Sequence, residues 1–196
     1  LTPSLDFDGS VGIGKVSVRL PVPQRFFEGD TQSIGYVEPV AFAISAKREG
    51  FSPAALKVTL VIGLCKDICV PVQTQLQAVA DSGLTAKASV RNAFSNLPSV
   101  KPSNQGWTAY LDRTESELRV SSPEPTPLLV TDAFVQAADG WAFGPPIENL
   151  SALGGTAVTL PILSMPSSND RPSAIDILLT MGEQAELVED VTVEEP

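Results

Sequence analysis

Cys65 and Cys69 are the only thiols of the chain, set three residues apart in the run Gly-Leu-Cys-Lys-Asp-Ile-Cys-Val-Pro that spans 63–71. Two thiols at this spacing can ligate a metal, staple a loop, or alternate between dithiol and disulfide. Zinc fits poorly, because the chain has no histidine and no further cysteine, leaving a tetrahedral ion half-ligated. The missing histidine also removes a Ser-His-Asp triad and a Cys-His nucleophile.

Were the segment one continuous strand, the two cysteines would lie about 13 Å apart. A disulfide needs Cα atoms within roughly 7 Å. The β-branched residues and Pro71 oppose a helix, so the chain is expected to turn at Lys66-Asp67-Ile68, with the cysteines facing each other across a hairpin mouth. Before the turn the apolar series is Val58, Leu60, Ile62 and Leu64, which puts Cys65 in phase with Lys57, Thr59, Val61 and Gly63. After it, Cys69 is in phase with Pro71, Gln73 and Gln75. Inert cysteines more often occupy the buried phase. So short a loop also removes little chain entropy, which makes a weak staple. Both features favour a redox pair, with a structural disulfide in a binding or assembly module as the alternative. Lys66 would favour a thiolate and Asp67 oppose it, so local charge does not decide.

The elements that must hold this hairpin read as strands. Val16, Val18 and Leu20 alternate with Lys15, Ser17 and Arg19; the runs 37–46 and 56–64 follow, and in 69–80 Val70, Val72, Leu76 and Ala78 oppose Gln73, Gln75 and Gln77. From Asp81 the period changes. Val90, Ala93, Phe94 and Leu97 fall at helical spacing, Asp81 or Ser82 could cap, and Pro98 ends the run. A loop is expected at 98–106, after which strand signals resume at 107–112, 117–122, 127–137, 155–163, 174–181 and 185–195. The last of these alternates apolar residues with carboxylates and reads as a solvated final strand.

With 196 residues, 43% of them hydrophobic, the chain can bury a sizeable core. Its 17 prolines and 14 glycines, spread without a repeat, suit short strands joined by turns. A net charge of -10 repels phosphate backbones and anionic lipid, so nucleic acid is not an expected partner. No apolar run reaches the ~20 residues that span a bilayer, so direct membrane insertion is not expected. Leu1 without a leader reads as a processed or excised segment. Sparse cysteine suits an oxidising compartment.

Other signals are weak. Residues 9–16 satisfy Gly-x4-Gly-Lys, but Val16 stands where a phosphate loop needs Ser or Thr, and a strand follows. Asp6 and Asp8 have calcium-like spacing without the rest of a loop. Trp107, Trp141 and Phe143 are expected in a core, and Glu115 with Glu117 lacks a surrounding constellation.

The run from Leu20 to Ala46, with Pro-Gln-Arg-Phe and Ile-Gly-Tyr, and the run from Leu56 to Leu76, with Cys-Lys-Asp-Ile-Cys-Val-Pro, resemble the N-terminal periplasmic domain of DsbD-type protein-disulfide reductases. The likeness is strongest to the branch related to the copper-tolerance protein ScsB, and residues 132–146 resemble a downstream segment of that branch. The resemblance implies an all-β chain: an immunoglobulin-like β-sandwich with a second β unit and one short connecting helix. It suggests an exchange domain over 1–82, a helical connector over 83–103 and a second β-sandwich-like domain over 104–196.

The resemblance further implies thiol-disulfide exchange in the periplasm, with Cys69 attacking and Cys65 resolving. Electrons would come from a membrane-embedded or thioredoxin-like donor and pass to oxidised proteins, with no cofactor. Phe26, Phe27 and Tyr36 would belong to an aromatic cap loop over the pair, or its hinge, unless they are ordinary core aromatics. Copper handling by the thiols follows only from the branch's association with copper tolerance. The best-known members space their cysteines more widely, and members usually carry an upstream segment, often with a multi-span membrane domain, so the chain reads as a fragment or a stand-alone variant.

Overall fold

The protein, seen in a computed structural model, is described over residues 3–28, 31–51, 53–65, 68–79, 83–102, 106–122, 129–152, 155–167 and 171–194. It divides into two compact units, 1–97 and 98–196. The expected all-β, immunoglobulin-like architecture is borne out, with one short helix among the described residues.

The first unit runs β1 (Ser4–Asp6), β2 (Ile13–Arg19), β3 (Gln24–Glu28), β4 (Thr31–Gly35), β5 (Ala43–Arg48), β6 (Ala55–Cys65), β7 (Cys69–Val79) and α1 (Leu84–Ser95). These strands form antiparallel groups, β1-β6-β7, β2-β5 and β3-β4. Gly9 and Gly12, at φ +85° and +63°, turn the chain from β1 towards β2. The backbone N–H of Asp8 donates to the Asp6 carboxylate at 3.0 Å, so the aspartate pair makes a turn. The phosphate-loop pattern leads into strand β2, as the sequence suggested.

α1 bears out the helical period, but its N-cap is Gly83, which supplies no side-chain capping bond. The expected caps Asp81 and Ser82 lie outside the described residues. The helix falls in the first unit and residues 98–103 in the second, so the span 83–103 is shared between them.

The second unit contains β8 (Ser99–Pro102), β9 (Thr108–Asp112), β10 (Glu117–Ser122), β11 (Asp132–Gln136), β12 (Ala142–Phe143), β13 (Glu148–Ala152), β14 (Gly155–Ser164), β15 (Ala174–Met181) and β16 (Gln184–Glu194). They pair in the order β11-β15-β16-β9-β10-β14-β12, with β13 added to β14 and β8 to β16. The terminal strands β11 and β12 approach each other, so the sheet nearly closes around the core. That core includes Leu111, Leu118, Val120, Val158, Leu160, Ile177, Leu179 and Val188, all fully buried. Trp107 and Phe143 are core residues as expected, and the partly buried Trp141 packs against the core with its ring stacked on Phe143.

Two readings are corrected. Ser99–Pro102 is not loop but strand β8, parallel to β16, because proline and lysine are tolerated on a short strand at an edge position. The acidic terminal strand is not peripheral: β16 pairs with β15, β9 and β8. Its charge pattern hid this because a bulge swaps its phase. Ile177 pairs with Val188 and Ile175 with Val191, leaving an extra residue on β16; Asp190 there adopts φ +57°, and its N–H donates to the Asp176 carboxylate at 2.9 Å. Glu186 and Val188 are therefore buried before the bulge, and Val191 and Val193 after it.

Leu160 faces Leu118 across β14 and β10, and both are fully buried. Leu160→Ala should cost about 2–5 kcal/mol through lost contacts and a cavity, measured by urea unfolding of the second unit.

Candidate functional site

The site is built on one long pairing. β6 and β7 match in eleven consecutive pairs without a register shift, from Ala55↔Val79 to Cys65↔Cys69. This is the hairpin expected from the sequence; its turn residues Lys66 and Asp67 lie outside the described residues. At the open end of the ladder the cysteines face one another with Cα atoms 4.0 Å apart and are joined in a disulfide. Both are exposed.

The hydrogen-bonding phase of the ladder follows from the opposite side of β6. The N–H and C=O of Ala55 bond with Val11, and those of Lys57 bond with the Ser10 hydroxyl. Odd-numbered residues of β6 thus direct their backbone groups away from β7. Even-numbered ones bond to β7, and the Cys65–Cys69 pair is of the closely spaced, non-hydrogen-bonded kind.

Because directly opposed residues share a face, Cys65 and Cys69 lie on the side of Gly63, Pro71, Val61, Gln73, Thr59 and Gln75. The polar phase is as expected. What the pattern did not disclose is the exposure of the other phase near the tip: Leu64 is 55% exposed, Val70 46% and the turn residue Ile68 75%. Exposed apolar side chains therefore share the hairpin tip with an accessible disulfide, Leu64 and Val70 on the opposite face of the ladder. Periodicity alone assigned Leu64 and Val70 to the buried face; at the end of the hairpin no further layer covers them among the described residues.

The three aromatic candidates sit on or beside the β3–β4 ribbon. Phe26 is half-buried, with its ring over the diagonal neighbour Gly35, where an added Cβ would stand 3.4 Å from Phe26 Cε1. Phe27 points to the other face and is 72% exposed. Tyr36 follows β4; its hydroxyl donates to the Pro21 carbonyl at 2.7 Å, and its ring tilts against Phe42. That bond ties the chain entering β3 to the chain leaving β4, so Tyr36 clasps the base of the ribbon. Burial raises its phenol pKa to about 12. Pro21 and Phe42 were missed as parts of this clasp because no strand or helix period marks contacts fifteen and six residues from Tyr36.

The strand pattern, the hairpin and its cysteine pair lie within a segment of known kind. Residues 2–81 match the model of the family described as thiol:disulfide interchange protein DsbD, N-terminal. The resemblance read from the sequence is thus borne out over these residues. The fold agrees. The crystal structure of the N-terminal periplasmic domain of ScsB from Proteus mirabilis superimposes with a TM-score of 0.74 at 15% identity, covering 99% of this chain and 78% of that one. No curated protein matches the chain in sequence. No helix among the described residues is long and apolar enough to cross a membrane.

The clasp gives a pH prediction. Folded Tyr36 holds its proton up to about 12, whereas the unfolded phenol releases it near 10, so this contribution is complete below pH 10 and lost between pH 10 and 12. Urea midpoints followed across that window should fall more steeply for the wild type than for Tyr36→Phe.

Proposed function

We propose that the chain is a periplasmic protein-disulfide reductase module that relays electrons through Cys65 and Cys69. The observation that carries this reading is the exposed disulfide at a hairpin tip that also exposes the apolar residues Leu64, Ile68 and Val70. A staple needs neither exposure nor exposed apolar neighbours at the tip, whereas a docking surface for another protein uses both. As a staple the bond also does little, since closing so short a loop contributes about 2 kcal/mol at most.

In the reduced module, the Cys69 thiolate attacks one sulfur of a client disulfide. The Cys69–client bond forms, the client S–S bond breaks, and the released client thiolate takes a proton. Cys65, deprotonated in turn, attacks Cys69 Sγ, closes the Cys65–Cys69 disulfide and expels the second client thiolate, which is protonated. Two electrons and two protons have passed to the client. A dithiol of the thioredoxin-like class, or a membrane-embedded donor domain, restores the pair by the reverse exchange. No cofactor enters these steps.

Exchange is assigned to 1–82, with 83–103 as connector and 104–196 as a second β domain. Phe26 and Phe27 on the β3–β4 ribbon serve as the cap that limits access by unsuited thiols, with Tyr36 at its hinge.

Cys65→Ser should stall the reaction at a mixed disulfide on Cys69, visible as a reductant-sensitive adduct by mass spectrometry, with turnover abolished. Cys69→Ser should give neither adduct nor turnover. Both should retain the β-sheet circular dichroism, and turnover by either folded variant at the wild-type rate would refute the relay.

A further inference from the structure

The relay reading leaves open how a module with so small a site holds its client. β7 supplies a means. It ends the β1-β6-β7 sheet, and no strand pairs with its outer side among the described residues. The phase fixed by Ala55 and Lys57 determines what that edge presents. Val70, Val72, Thr74, Leu76 and Ala78 face the even-numbered residues of β6 and bond inward, so Gln73, Gln75 and Gln77 direct both their N–H and C=O groups outward. Ten of the eleven β7 residues are exposed, Val72 alone being half-buried.

Natural sheets usually blunt such an edge with charge, a bulge or proline. β7 carries no charged residue and no bulge in its pairing with β6. Its single protective device is Pro71, at an outward position, where it offers a carbonyl but no N–H. The open edge therefore extends from Gln73 towards Val79 and is interrupted only beside Cys69.

We propose that the outer edge of β7 binds an extended segment of the client by strand addition, delivering the client's half-cystine to Cys69. This rests on the relay reading above. Three features select this occupant. The edge is continuous with the cysteine, Gln73 lying four residues, about 13 Å of strand, from Cys69. Gln73 and Gln75 share the face of Cys69, so client side chains opposite them also point to the disulfide face. Backbone pairing reads no side chains, so it requires of the client only an extended segment beside its disulfide. The missing N–H at Pro71 leaves the client backbone unpinned where its sulfur must move into line with Cys69 Sγ.

The test exploits the ladder's phase. In Gln75→Pro the lost N–H is one that β6 does not use, so the β6–β7 pairing and the disulfide should persist. Reduction of this variant by dithiothreitol should proceed at the wild-type rate. Exchange between its reduced form and an extended, disulfide-linked peptide pair should slow about tenfold, through loss of an edge bond and displacement of its neighbours. A companion measurement on the unaltered protein uses the same peptides N-methylated at alternate residues; methylation in one phase should slow exchange and in the other should not. Unchanged peptide rates for both the variant and the methylated peptides, with dithiothreitol reduction intact, would overturn strand addition while leaving the relay standing. A wild-type protein that exchanges with no peptide would instead overturn the relay. A dimer that Gln75→Pro dissociates without altering the peptide rate would assign the edge to a second copy and overturn the proposal.

Discussion

The in-register pairing of β6 with β7 is the constraint on which the first unit's chemistry depends. Eleven uninterrupted pairs leave one outcome at the hairpin tip: Cys65 opposite Cys69, on the same face, close enough to bond. A slip of one residue would send the two sulfurs to opposite faces and bring Leu64 or Val70 against a cysteine. The same register sets the backbone phase, so one alignment decides where the disulfide points and which residues of β7 keep outward hydrogen-bonding groups. Ser10 and Val11 reinforce it from the other side of β6, occupying the backbone groups of Lys57 and Ala55.

The two units are stabilised differently. The second has a fully buried cluster of aliphatic residues inside a nearly closed sheet, whereas the buried apolar residues of the first, among those described, are Ala43 and Val58. The first unit therefore relies more on strand ladders and on clasps such as Tyr36 to Pro21 than on a dense interior. Segments with few buried contacts open at lower free energy than those in a core. That suits the proposed exchange role, where strands have to yield to a partner, and it would be a poor foundation for a rigid pocket.

Much of this was legible from residue order. The hairpin followed from two numbers, the reach of a strand and the reach of a disulfide, together with the apolar alternation from Val58 to Leu64. The helix near Phe94 followed from its period, and the strands at 155–163 and 174–181 from theirs. What escaped has physical causes. The β3–β4 ribbon carries no clean alternation because neither of its faces is fully buried. β8 is only four residues long and contains proline and lysine, which local preferences assign to a loop. β16 looked solvated because its bulge at Asp190 splits the buried residues between two phases, so no single alternation exposes the core face. The exposure of Leu64, Ile68 and Val70 depends on how the described residues are layered at the hairpin tip, which is a property of the fold and not of those residues.

The reduction potential of the Cys65–Cys69 couple tests the central claim most directly, by equilibration against glutathione or dithiothreitol with mass-tag counting of free thiols. A bond that both accepts and donates electrons should lie between about -120 and -270 mV, among thiol-disulfide exchange proteins. A value below about -300 mV would mark a structural disulfide resistant to the glutathione pool, and the hairpin would then be a staple in a binding module rather than a relay.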